Sequence, residues 1–221
     1  MKTRAVCYIM LFLVASSCSP MMGIYGIHAP KEISEKKIYK YGSRLKIPHH
    51  EIYELDTSYY SYVLSLGIRG QDSLSSEAWS EEQKKRKNQI KNHYQPLQAL
   101  YFDKSGQLVS FQINCYAGGF PNLEWERDSI MTCFPPKIQA PLDTLISDAI
   151  LLKYMVPLSK SMKVSIREHD YLVFVLWSKF MGRQNKRFIR SIQENYKIAS
   201  EKNVKFVYIN TDNFFKGIDI W

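Results

Sequence analysis

The order of hydrophobic and polar positions predicts a strand, a helix and a second strand in the last third of the chain. The unbroken apolar run YLVFVLW (171–177) has the length of a strand that is covered on both faces. The segment 185–202 repeats apolar residues at helical spacing, and VKFVYI (204–209) is a second apolar strand. With short links on both sides, this order predicts a right-handed βαβ unit with parallel strands.

The middle of the chain predicts an antiparallel hairpin. The segments 97–102 and 107–115 flank a D-K-S-G turn, and the second alternates between apolar and polar residues. Gly106 supplies the turn position that needs positive φ. We therefore expect two adjacent antiparallel strands in this region.

Helices and one further strand are predicted around the hairpin. Acidic residues precede basic ones over 75–94, the order that suits the helix dipole. A second helix is expected to begin at Asp143 or Thr144 and to run toward Met155. The alternating apolar residues of 59–68 predict a half-buried strand.

These elements predict an α/β fold, with α+β as the alternative, in which a central sheet contains the C-terminal βαβ unit and a β-hairpin region that precedes it. We expect an export signal over 1–17 and a basic tether over 18–50. An α+β region with the hairpin 97–115 would span 51–160, and the βαβ unit 161–221.

The first residues follow the pattern of a secretory signal. Lys2 and Arg4 precede an apolar run that is too short to span a bilayer comfortably, and Ser16-Ser17-Cys18 follows. The sequence A-S-S-C resembles a bacterial lipobox, although Ala15 stands where Leu is usual. The resemblance implies that Cys18 carries acyl chains such as palmitate and becomes the first residue of the mature chain. An ordinary secretory signal is the alternative.

Such an anchor predicts a cell-envelope protein that is held on a membrane and faces away from the cytoplasm, at the outer membrane or the periplasmic face. The formal charge of +9 falls to +7 when the segment with Lys2 and Arg4 is removed. A basic body attracts anionic membranes, acidic glycans or nucleic acid, and export argues against nucleic acid. A solvated basic surface without a partner is the simpler alternative.

Two cysteines remain in the mature body, Cys115 and Cys133, because Cys7 leaves with the signal and Cys18 takes the lipid. An oxidising compartment allows them one pairing. A structural disulfide, worth about 3 kcal/mol for a loop of this length, is preferred to buried thiols. A redox pair is the third alternative.

A further motif, WSKFMGRQNK (177–186), stands between the first strand and the helix of the βαβ unit. It resembles the W-x-x-W-C-G-P-C-[RK] motif of thioredoxin-like proteins, which occupies the same place, and the later Asn210-Thr211-Asp212 fits the Asp that often ends the next strand. The resemblance covers about 45 residues, from near Glu168 to Asp212. The corresponding positions are Trp177, Phe180, Met181, Gly182, Arg183 and Gln184.

The departures from this motif decide its chemistry. In the family the first Cys is the nucleophile and the second resolves the mixed disulfide. Met181 and Gln184 stand at these places, and neither a thioether nor an amide can do this work. The resemblance therefore implies a redox-inactive region. The motif residues that still match the family have two explanations. Either they stabilise the fold, or they keep a helix N-terminus that binds anions beside Arg183 and Lys186.

Thioredoxin-like proteins continue past the βαβ unit with a helix, a cis-proline loop opposite the cysteines, a hairpin and a last helix. This sequence has no proline after Pro157. We expect the hairpin 97–115 to supply the remaining edge of the sheet in a rearranged order, with a partner chain as the alternative.

The sequence therefore predicts an envelope lipoprotein with a redox-inactive thioredoxin-like region, acting as a binding or structural component with a protein or glycan partner and no cofactor. One alternative is a thiol-disulfide oxidoreductase that uses Cys115 and Cys133. Another is a basic protein that binds glycans or lipid headgroups. No metal site is predicted, because HHE (49–51) and EHD (168–170) are sequence neighbours that seldom point at one ion.

Overall fold

Six strands hydrogen-bond into one mixed sheet in the computed structural model, which describes residues 26–67, 76–114, 129–158 and 168–219, with backbone alone for 76–80 and 129. The strand order is β3-β2-β5-β6-β1-β4. The strands are β1 (Ile52–Leu55), β2 (Gln98–Asp103), β3 (Leu108–Ile113), β4 (Met155–Pro157), β5 (Tyr171–Trp177) and β6 (Val204–Asn210). The described helices are α1 (Glu35–Arg44), α2 (Ser58–Ser65), α3 (Ser76–Asn92), α4 (Asp148–Tyr154), α5 (Gly182–Tyr196) and α6 (Asp212–Ile218).

The predicted βαβ unit is present as β5-α5-β6, and the α/β fold class is confirmed. β5 and β6 are parallel over their whole length, from Tyr171 opposite Val204 to Trp177 opposite Asn210. α5 packs on the sheet because its apolar residues recur at helical spacing and are buried. The helix begins three residues earlier than predicted and ends at Tyr196, where a 3-10 turn follows.

The hairpin supplies the edge of the sheet, as expected. β2 pairs antiparallel with both β3 and β5. The outer edge of β3 is covered by the segment 137–140: the Gln139 side chain bonds both the N–H (2.7 Å) and the carbonyl (3.0 Å) of Ile113, and the Ala140 N–H donates to Phe111 O at 3.0 Å. This cover leaves little of the edge free to pair with another chain.

The predicted strand over 59–68 is wrong, because its residues 59–65 belong to the helix α2. Tyr59, Val63 and Leu66 are the buried residues, and their spacing is helical. The Asp56 carboxylate accepts the Ser58 N–H at 2.8 Å, which satisfies one of the free donors at the helix start. Apolar residues also recur at every second position of this short segment. Periodicity alone therefore does not distinguish a strand from a helix here.

The predicted tether over 18–50 is packed structure from Ile33 onward. α1 buries Ile38 and Tyr41, and Leu45 and Ile47 continue into the core. Lys36, Lys37 and Lys40 lie on the opposite, solvent-exposed side of this helix. Residues 18–25 lie outside the described residues.

The helix predicted to begin at Asp143 or Thr144 begins at Asp148 instead. Ser147 caps it and accepts the Ile150 N–H at 3.3 Å. Asp143 is unavailable as a cap because its carboxylate binds His93 and the Leu145 N–H.

Helices cover both faces of the sheet. On one face the Tyr41 ring of α1 stacks on Trp177, with centroids 5.9 Å apart, and the Tyr196 ring of α5 packs on Phe206 at 5.0 Å. On the other face the aromatic residues of α2, α4 and α6 pack together, with Tyr59 between Tyr154 and Phe214. Among the described residues, no helix is long and apolar enough to cross a membrane.

Candidate functional site

The motif lies at the carboxyl ends of the parallel strands β5 and β6, the edge at which open α/β sheets bind ligands. Trp177 ends β5, and a short loop leads to α5. The site therefore consists of this loop, the first turn of α5 and the residues that follow β6.

The motif side chains form part of the core. Trp177 is fully buried, and Phe180 and Met181 are nearly so. Gln184, at the second cysteine position, is only 2% exposed. Lys179, Arg183 and Lys186 are the exposed residues of the motif. A side chain that is to exchange disulfides has to be reached by its substrate, and Met181 and Gln184 are not exposed in this way.

Gly182 explains why the motif keeps its glycine. Its φ is +51°, a conformation that side chains with a Cβ rarely adopt. A Cβ at this position would also lie 1.9 Å from the carbonyl oxygen of Gly26. The chain segment that crosses here, residues 26–34, is called the N-terminal strap below.

The strap covers the site and is held at two points. The His28 N–H donates to Phe180 O at 2.9 Å. Farther along, the Asn213 side chain bonds both the N–H (2.8 Å) and the carbonyl (3.0 Å) of Ile33. The strap thus runs from the start of α5 to the start of α6, across the ends of the parallel strands.

The Asp212 side chain hydrogen-bonds the backbone of the motif loop. Its carboxylate accepts the N–H groups of Lys179 (2.7 Å) and Phe180 (3.1 Å), and the Asn210 amide at 2.8 Å. The side chain is buried, and burial raises the pKa of Asp212 above its usual range although these hydrogen bonds oppose the shift. The Asp that follows β6 therefore fixes the loop conformation.

Several buried polar atoms of the motif have no hydrogen-bond partner among the described residues. They are Trp177 Nε1, Ser178 Oγ and both polar atoms of the Gln184 amide. None of these groups is an activated nucleophile, since no base contacts Ser178 Oγ among the described residues. The arrangement supports packing better than catalysis.

The start of α5 offers little room for an anion. The Gly182 and Gln184 N–H groups already donate to Lys179 O and Met181 O, both at 3.1 Å. The backbone of Gly26 lies against Gly182 on the outer side. The geometry therefore favours the explanation that the retained motif residues stabilise the fold over the explanation that they bind an anion.

Cys133 lies far from the motif. Its backbone carbonyl accepts the Asn195 amide at 2.7 Å, and Asn195 is 13 residues after Gly182 in α5, which is about 20 Å along the helix axis. The thiol is free and exposed, and it donates a hydrogen bond to Pro135 O at 3.3 Å. Cys115 and Cys18 lie outside the described residues, so the disulfide and the lipidation stay predictions.

The structure adds a buried pair that sequence reasoning missed, His93 and Asp143. Their side chains meet at 2.8 Å (Nε2 to Oδ1) and are 0% and 3% exposed. The His93 ring stacks on Phe111, and the Tyr59 hydroxyl donates to His93 O at 3.2 Å. The pair ties the end of α3 to the loop before α4. Because the two are 50 positions apart in the sequence, no local signal connects them.

The two clusters of metal-capable residues remain apart from the motif. The His49 ring bonds Ser43, and Glu51 pairs with Lys205 at 2.8 Å. His169 and Asp170 bond Asn203 at the other end of the sheet. Within the part of the chain that the structure describes, no three His, Cys, Asp or Glu side chains are grouped to hold a metal.

In comparisons with known proteins, no family model, no curated protein and no solved structure matches the chain.

Proposed function

We propose that the chain is a bacterial envelope lipoprotein whose thioredoxin-like region is redox-inactive and acts as a binding or structural module. The proposal rests on which residues occupy the two cysteine positions of the motif and on how accessible they are. Met181 and Gln184 replace both cysteines and are buried, and a segment of the same chain crosses the backbone of Phe180 and Gly182 beside them. A site without a thiol and without access cannot exchange disulfides.

The sheet supports the thioredoxin-like part of the proposal. The family's elements are a βαβ unit, a following helix, a proline loop opposite the motif and a hairpin. Here β5-α5-β6 is followed by α6, and the hairpin β2-β3 pairs with β5. Pro96 directly precedes the hairpin and lies by the motif, because Thr211 Oγ1 contacts both Pro96 O and Trp177 O at 3.3 Å, although the peptide bond before Pro96 is trans, unlike that of the family's loop. The elements fit in a rearranged chain order.

The lipoprotein part depends on Cys18 and has a direct test. Cells that express the full chain are grown with a labelled palmitate, and the label on the chain is measured. We expect label on the native chain and none on Cys18→Ser. The matched control, Cys7→Ser, changes a cysteine that leaves with the signal and should keep the label. Equal labelling of native chain and Cys18→Ser would overturn lipidation at this residue.

The redox part is tested by reduction of insulin disulfides with a dithiol as electron donor. We expect the mature chain to accelerate the reaction no more than a Cys133→Ser variant does. Catalysis that disappears in Cys133→Ser would instead favour the oxidoreductase alternative, in which Cys133 pairs with Cys115. Cys133 is the accessible thiol of the described residues, so it is the right position to change.

A further inference from the structure

The outer side of α1 and α5 forms a basic surface next to the N-terminal strap. We call it the basic face and define it by the exposed side chains Lys36, Lys37, Lys40 and Arg44 of α1 and Arg183, Lys186 and Arg190 of α5. Both helices bury their other side against the same face of the sheet.

The two helices lie side by side, so that their exposed residues share one surface. The Gln193 amide of α5 donates to Leu45 O, directly after α1, at 2.9 Å. The Asn185 amide reaches the Tyr41 hydroxyl at 3.4 Å. Lys36, Lys40 and Arg44 are spaced by four residues and form one stripe of α1.

Within the two helices themselves, acidic residues are few. Each of the two helices contains four basic residues and one acidic residue, a formal charge of +3 each. The acid of α5, Glu194, pairs with Lys197 at 2.7 Å, and the acid of α1, Glu35, lies in the first turn. The helices of the opposite layer are less one-sided, since α2 has no charged residue, α4 and α6 have one of each sign, and α3 offsets five basic residues with three acidic ones.

The strap brings the first described residue, Gly26, to the edge of the basic face. Gly26 lies against the backbone of Gly182 and Arg183, at the start of α5. Gly26 is eight positions after Cys18, and a fully extended segment of that length reaches about 30 Å at most. An acyl group on Cys18 would hold the start of α5 within that distance of the membrane.

We propose that the basic face is the surface by which the protein rests on anionic phospholipid headgroups. The inference rests on the proposed lipid anchor, which raises the local concentration of headgroups near the face. Basic residues near an anionic surface add about 1 kcal/mol each, and the attraction acts over a Debye length of about 10 Å. A lipid and a basic surface together form the two signals that hold a protein firmly on a membrane.

The test uses the unacylated chain that begins at Ser19, which keeps every described residue. Its binding to vesicles of neutral phosphatidylcholine, with and without anionic phosphatidylglycerol, is measured by co-sedimentation. The variant K36Q/K37Q/K40Q removes three charges from the basic face. The matched control K84Q/K85Q/K87Q removes three exposed charges from α3, which packs against the end of α2 through Arg86 and Leu66.

We expect binding to anionic vesicles only, with loss of binding in added salt. The α1 variant should bind on the order of 100-fold more weakly, and the α3 control less than about 3-fold. Equal losses in both variants would overturn the proposal, because net charge would then explain the binding. Binding to soluble heparin but not to anionic vesicles would overturn it in favour of an acidic glycan.

These outcomes do not depend on lipidation, because the vesicle experiment contains no acylated protein. A chain that takes up palmitate but ignores anionic vesicles would keep the lipoprotein proposal and contradict the basic face. Binding to anionic vesicles without palmitate uptake would do the reverse.

Discussion

The two faces of the sheet are alike on the inside and different on the outside. On one face Trp177 packs beneath Tyr41 of α1, and on the other Tyr59 and Phe214 pack between α2 and α6. All of these rings are nearly fully buried. Outside, α1 and α5 are densely basic, whereas α2 has no charged residue.

This difference implies that the buried rings determine the stability of the fold and that the exposed charges determine what the protein binds. Buried aromatic residues contribute to folding through the area they remove from water. Exposed lysines contribute little to folding, because water and salt screen them. We therefore expect substitutions inside either face to change the free energy of unfolding, and substitutions of the basic face to change membrane binding alone.

The largest effects are expected for the buried rings. Trp177→Ala and Phe214→Ala should each lower the free energy of unfolding by about 3–5 kcal/mol, measured by urea denaturation. Trp177→Phe is the control and should cost less than about 2 kcal/mol, because Nε1 has no partner among the described residues. A much smaller loss of unfolding free energy for one of these alanine variants than for the other would contradict the claim that the two faces are equally well packed.

The next effect concerns Gly182, where the strap meets α5. Gly182→Ala should lower the free energy of unfolding by about 2–3 kcal/mol, because φ is +51° and Gly26 O blocks the Cβ. In a chain that begins at Ala29 the block is gone, and we expect the loss to fall to about 1 kcal/mol. The same loss in both chains would contradict the contact between strap and motif.

Asp212→Asn should cost about 1–2 kcal/mol near neutral pH, because an amide cannot accept all three donors that the carboxylate accepts. The raised pKa of Asp212 adds a pH dependence. A folded-state pKa above the unfolded value of 3.8 stabilises the native chain most below that value, and the stabilisation is lost as pH rises through the folded pKa.

The difference in unfolding free energy between native chain and Asp212→Asn should therefore be larger at low pH than at neutral pH. Urea denaturation of both proteins across this range measures it. A difference that grows as pH rises would contradict the direction of the pKa shift.

The smallest effect is expected for the basic face. K36Q/K37Q/K40Q should change the free energy of unfolding by less than about 0.5 kcal/mol per residue, since all three side chains are exposed. The urea curve of K84Q/K85Q/K87Q is the control. A large loss of stability in the α1 variant alone would show that these lysines serve the fold, and it would weaken their assignment to membrane binding.

The sequence predicts those elements whose signal is local. The apolar runs of β5 and β6 and the Gly106 turn are each contained in fewer than about ten residues, the range over which periodicity is informative. α1 also has a local signal, Ile38, Tyr41 and Leu45 at helical spacing, which the dense lysines obscured. In α2 two periods coexist, and tertiary packing of Tyr59 and Val63 decides between them.

The site is harder to predict because its contacts join distant segments. Nothing near Met181 indicates that residues 26–28 contact its neighbours Phe180 and Gly182, and Asn213 contacts Ile33 across 180 positions. Likewise His93 and Asp143 are brought together only by the packing of α3 on the sheet. The motif predicts the loss of dithiol chemistry, whereas the strap that closes the site requires the structure.

The most direct measurement of the central claim, that no dithiol chemistry remains, is a redox titration of the mature chain. The chain is equilibrated in graded thiol buffers, and alkylated cysteines are counted by mass. We predict either a Cys115–Cys133 disulfide that resists reduction below about −300 mV or two thiols that never pair. A Cys115–Cys133 couple between about −120 and −270 mV, where exchange proteins operate, would contradict the claim.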